Sequence, residues 1–182
     1  MANNKGLGWL WRIILWTFFL SISFKVISQA LLDGLGLFGS LLVLISIVLV
    51  GVVFDTIGIA AAVARQAPLN ARAAKKLPGA RQALQLSLNS DRVATFCNDV
   101  VGDIAGIISG AAAAGILYSL ADGTYQGNMY ISIALTSLVA VLTVGGKGFG
   151  KHLAMNRATE ILSFVGRALY YVQRPWSANK GK

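Results

Sequence analysis

What this chain has little of narrows its class before any motif is read. Charged residues make up only 13% of its 182 positions, about half the share of a soluble domain. An ordinary water-facing surface is therefore excluded. Cys97 is the single cysteine, which rules out an intrachain disulfide and a cysteine-rich metal site. His152 is the single histidine, which argues against a His-rich zinc site and a Ser-His-Asp triad. Acids are scarce too: 7 Asp and Glu stand against 16 Lys and Arg, a formal charge of +9. Such a balance can signal nucleic-acid binding. Here the basic residues flank apolar runs and form no stripe on a soluble face. They read as topology signals and lipid-headgroup contacts, so the expected partner is the bilayer and not nucleic acid.

What is present is apolar. Hydrophobic residues reach 55% and the mean hydropathy is +0.65. The expectation is an all-α integral membrane protein with about four transmembrane helices, a basic cytoplasmic helical hairpin and a C-terminal amphipathic juxtamembrane helix. The first apolar stretch covers residues 6–24, interrupted by Arg12 and followed by Lys25, with Trp9, Trp11 and Trp16 suited to an interfacial belt. A signal peptide is the competing reading, with Lys5 and Arg12 as its basic start and Ser28-Gln29-Ala30 as its cleavage site. The second stretch, 35–64, exceeds the ~20 residues needed to span.

A polar segment, 65–92, carries six basic residues and one acid, Asp91; Pro68 and the Pro78-Gly79 pair divide it into short helices. Ser90 or Asp91 is placed to cap the next helix. A third span covers 93–120. Gly106 and Gly110, then Ala111 and Gly115, give small-xxx-small faces for close helix approach. The loop 121–128 has no Lys or Arg. The fourth span, 129–144, ends in GGKGFGK, whose glycines are expected to break the helix and free backbone carbonyls. A helix over 151–172 repeats Ile161, Val165, Ala168, Leu169 and Val172 on one face. It is too polar to span and is expected to lie on the membrane surface or on the domain. Residues 177–182 are expected to be disordered. Charge bias then places the 65–92 hairpin and both termini in the cytoplasm of a multi-pass inner (plasma) membrane protein. Cleavage of the first segment would leave three spans and an outside N-terminus.

Three acids fall in or beside spans: Asp55, Asp99 and Asp103. Acids inside lipid are functional candidates because burying their charge costs several kcal/mol. Asp99 and Asp103 are four apart, and Asn98 adds a neutral oxygen, a set suited to magnesium or calcium. The plainer readings are a hydrated helix end, a helix cap, or an ion pair with Arg92 or Lys147. GGKGFGK is a poor phosphate loop: no strand precedes it, and Lys151 is followed by His152 instead of Ser or Thr. No nucleophile–base pair is visible, and Glu160 with His152 stands without partners, so no enzyme is expected.

Three phrases occur in a familiar order: FDTIGIAAA at 54–62, SLNSDRVATFCNDVVGD at 87–103, and VGGKGFGKHLA at 144–154. Over about residues 40–175 the chain resembles the transmembrane domain of the cyclin-M/CorC family of magnesium transport proteins. That family's phrases read F-S-G-x-E-x-A, then L-x-N-P-x-R-F-L ahead of G-N-N-x-x-N, then F-G-E-x-x-P-K-x-x-A. The resemblance implies a three-span core at 35–150, a homodimer, and Mg2+ as cargo. It also marks residues 1–34 as an extra helix and 151–176 as the amphipathic surface helix. The family's paired CBS modules have no counterpart up to Lys182, so a separate soluble regulatory partner is expected. The family's first Glu falls on Gly58, its later Glu on Lys147 and its Pro on Gly150, while Asn98 is kept and Asp55 and Asp99 are new acids. Two arrangements follow. Asp55, Asn98 and Asp99 with the carbonyls of Gly145 and Gly146 could hold the metal. Alternatively, the Lys147 ammonium could replace it, paired with Asp55, Asp99 or Asp103, in a non-transporting scaffold.

Overall fold

The computed structural model describes residues 4–33, 36–120 and 129–177. Every element among them is helical, as lipid requires of a backbone with no water to bond. In order they are α1 (Asn4–Asp33), α2 (Leu37–Val63), α3 (Gln66–Ala74), α4 (Ala80–Leu88), α5 (Ser90–Ala94), a π-helical stretch (Thr95–Gly102), α6 (Asp103–Leu120), α7 (Met129–Ala140), a second π-helical stretch (Val141–Gly145) and α8 (Gly146–Ser177). Four helices are long and apolar enough to cross a membrane: Trp11–Ala30, Leu37–Val63, Ser90–Tyr118 and Met129–Gln173. The loop 121–128 and the tail 178–182 lie outside the described residues.

Contacts group the chain into two compact units, Met1–Val52 with Val100–Gly146 and Val53–Asp99 with Lys147–Lys182. In the first unit, α1 packs on α6. Ile13, Leu20 and Phe24 meet Ile104, Ala105 and Ile108, with Val43 and Ile47 of α2 beside them. A second cluster joins Leu44 of α2, Ala112, Ala113 and Ile116 of α6, and Val139 of α7. The outward side of these helices is apolar as well. Trp16 is 66% exposed, Ile107 73% and Val144 71%. An apolar outer face is what a hydrocarbon solvent demands and water forbids.

Several expectations are corrected here. The first helix is not among these: α1 runs on past Lys25 to Asp33, close to the expected 1–34, and the Lys25 ammonium donates to Gln29 Oε1 one turn on, at 3.3 Å. The glycines of GGKGFGK do not break the last span. The chain stays helical through Gly145 and Gly146, and a Cβ on Gly146 would meet Val52 Cγ2 at 2.8 Å. A glycine costs a helix about 1 kcal/mol; here it also lets α8 begin against α2. On the small faces of α6, a Cβ at Gly106, Gly110 or Gly115 would meet nothing within 4 Å among the described residues. Neither Ser90 nor Asp91 caps α5. Asn89 holds the N-cap position, and its Nδ2 donates back to the Gln85 carbonyl at 2.9 Å.

The second unit contains the basic hairpin. Pro68 sits in the first turn of α3, where a missing N–H costs nothing. Lys76 (φ 54) ends that helix in a Schellman turn. Lys76 N donates to Ala73 O at 3.0 Å, and Leu77 N to Arg72 O at 3.3 Å. Pro78 follows, and Gly79 (φ 79) opens α4. Around Leu69 and Leu162, both fully buried, gather Ala60 and Ala61 of α2, Ala83 of α4, and Ala154 and Ala158 of α8. Arg72 Nη1 donates to Ser163 Oγ at 2.5 Å and ties α3 to α8.

The face α8 buries differs from the one its large residues suggest. Ala154, Ala158, Leu162 and Gly166 are buried, four residues apart, whereas Ala168 and Val172 are exposed. A kink at Arg157 (φ −130, ψ 31) separates the two halves of the helix. The tail helix thus lies on the unit by one face, and that face is made mostly of small residues.

Candidate functional site

Within the second unit, the end of α2 and the π-helical stretch come together at Gly58 and Asn98. A Cβ on Gly58 would clash with Asn98 Oδ1, and would stand 2.8 Å from Asn98 Cγ and 3.0 Å from Cys97 Cβ. The side-chain amide therefore occupies the room that any other residue at 58 would fill. Gly58 and Cys97 are both buried.

Asn98 Oδ1 is buried and accepts no hydrogen bond. Leaving such an acceptor unpaired costs about 1–3 kcal/mol. Asn98 sits in the π-helical stretch Thr95–Gly102, where the regular i→i+4 ladder is replaced. Such insertions are found frequently at functional sites. A buried, unbonded amide oxygen beside a bare backbone is an acceptor for a cation or for a water the cation carries.

The other candidates are distributed around this point. Asp55 lies one turn before Gly58 on α2 and is half-buried; Asp99 is exposed. Asp103 is exposed and Lys147 half-buried. Asp55, Asp103 and Lys147 are each engaged in a bonding or electrostatic interaction. Among the described residues no three His, Cys, Asp or Glu side chains converge as metal ligands. Asp103, Gly145 and Gly146 belong to the first unit, whereas Asp55, Asn98, Asp99 and Lys147 belong to the second. The contact the structure brings together is thus narrower than the set read from the sequence: one amide oxygen on one glycine, with Asp55 a turn away.

The role of Gly58 as the seat of Asn98 was missed in the sequence. The readable signal was a glycine inside an otherwise aliphatic span, FDTIGIAAA, a place where helices commonly approach.

Comparison with protein-family models, curated proteins and solved structures finds no match for the chain.

Proposed function

We propose that this protein carries a divalent cation, with magnesium as the fitting ion, across the membrane. The observation that supports this reading is the buried, unpartnered Asn98 oxygen seated on Gly58 in a π-helical stretch. Asp55 and Asp99 would supply charge near it, and an all-oxygen donor set favours a hard ion over a transition metal. The resemblance to the cyclin-M/CorC transmembrane domain leads to the same cargo and to a homodimer. The carbonyls of Gly145 and Gly146 are left out of this site, since the helix runs through both.

The test is magnesium flux into proteoliposomes. Wild type is expected to transport, and Asn98→Ala and Asp55→Ala to lose most of that flux. Equal flux in all three would reject the site.

A second reading is favoured by Lys147, which is half-buried and engaged. In it the ammonium takes the cation's place and the fold serves as a non-transporting membrane scaffold. That reading expects Lys147→Ala to lower the melting temperature and added magnesium to leave it unchanged.

A further inference from the structure

The net charge of this chain is confined to one of its two units. Val53–Asp99 with Lys147–Lys182 holds thirteen Lys and Arg against four acids, a balance of +9, which is the whole formal charge; the rest of the chain holds three of each. From residue 56 to residue 90 there is no acid at all.

Inside that unit, cations distant in sequence gather at one backbone crossing. The hairpin tip meets α8 where a Cβ on Gly79 would clash with the backbone of Gly166 and Arg167. Lys75 and Lys76 come four and three residues before Gly79, and Arg81 two after it. Lys75, Lys76, Arg81 and Arg167 are all exposed. The Schellman turn and the glycine contact hold the tip in one shape, so the four cations are presented by fixed backbone. Apolar groups stand among them. Leu77, at the tip, is 48% exposed, and on α8 Phe164 and Tyr171, three before and four after Arg167, are 74% and 57% exposed.

A soluble anion or an acidic partner accounts for the cations but not for Phe164 beside them. A lipid interface accounts for both, since it offers phosphates at one depth and acyl chains just below. Four helices of the chain are long and apolar enough to cross a membrane, and such spans would keep the unit near that surface.

We propose that the hairpin tip (Lys75, Lys76, Leu77 and Arg81) together with Phe164 and Arg167 of α8 is a docking surface for anionic phospholipid. The four cations engage headgroup phosphates, and Leu77 and Phe164 enter the acyl boundary. This surface stands whether or not the chain transports a cation.

The test uses the full chain in nanodiscs of phosphatidylcholine, alone or mixed in equal parts with phosphatidylglycerol. Amine acylation is followed by mass spectrometry. Lys75 and Lys76 are expected to react about fivefold more slowly in the anionic discs, and to recover in high salt. Native mass spectrometry of the variant K75Q/K76Q/R81Q/R167Q should show loss of retained phosphatidylglycerol, about fivefold for each cation removed, with retained phosphatidylcholine unchanged. Equal reactivity in both discs overturns the proposal. So does protection in phosphatidylcholine discs by millimolar inorganic phosphate, which would assign a free anion, or by a polyglutamate peptide, which would assign an acidic protein. The acylation arm uses the wild-type protein, so a misfolded variant does not spare the proposal.

Discussion

Gly79 and Gly166 touch backbone to backbone: a Cβ on Gly166 would stand 2.5 Å from the Gly79 carbonyl oxygen and 2.7 Å from Ala83 N. The Ala83 N–H already donates to that carbonyl at 2.9 Å, so neither atom is free to yield. Replacing a helical glycine by alanine ordinarily stabilises, by about 1 kcal/mol. Here the sign should reverse. Gly166→Ala is expected to cost about 1–3 kcal/mol, as overpacking does, and to lower the melting temperature in detergent by several degrees. Gly106→Ala is the control, because nothing lies within 4 Å of its Cβ position. It should be neutral or stabilising. A Gly166→Ala protein that melts with the control would refute the contact.

The two sides of α8 should respond differently to truncation. Leu162 is fully buried among Leu69, Ala83 and Ala158. Leu162→Ala should therefore cost about 2–5 kcal/mol. Phe164, two residues on, is 74% exposed. Phe164→Ala should stay within about 0.5 kcal/mol in neutral detergent. Thermal melts of both variants check the pair, and similar losses would mean the face of α8 has been misassigned.

That face also shows how far the sequence could be read. The four long apolar helices were legible because long apolar runs have few other uses, and the short helices α3 and α4 because Pro78-Gly79 and the cations around it mark a polar turn. The packing face of α8 was not. Ala154, Ala158 and Gly166 add little to a hydropathy pattern, so the larger Val165, Leu169 and Val172 dominate the wheel. The kink at Arg157 falls on a residue that is neither Pro nor Gly, and no ordinary breaker announces it. The site was legible only in part. Asn98 stood out as a polar residue in a span, but its seat depends on Gly58, forty residues away and without a side chain. The π-helical geometry of 95–102 has no residue signature at all.

Gly58 and Asn98 should be coupled. Gly58→Ala alone forces the amide out of its place and is expected to cost about 1–3 kcal/mol. Asn98→Ala relieves an unpaired buried acceptor but also removes packing, and the two effects offset, so its stability should change by less than about 1 kcal/mol. In the double variant, most of the Gly58→Ala penalty should disappear, because the clashing group is gone. An interaction energy of at least about 1 kcal/mol in this cycle is expected. Strictly additive effects would show that the two residues do not share the space. Read beside flux, the same Asn98→Ala protein separates roles: near-normal melting with lost transport assigns the oxygen to the cation and not to the fold.

Orientation can be tested through the charge bias itself. The hairpin 65–92 carries six basic residues and the loop 121–128 none. Basic residues close to span ends are retained on the cytoplasmic side, so the hairpin should lie inside and the loop outside. Cys97 is buried, and replacing it by serine leaves a background without thiols. In that background Lys76→Cys should react with a membrane-impermeant maleimide only after the cells are opened. Gly123→Cys should react in intact cells. The reverse pattern would invert the topology. Labelling of both positions from one side would mean that the one long apolar helix between them, Ser90–Tyr118, does not cross.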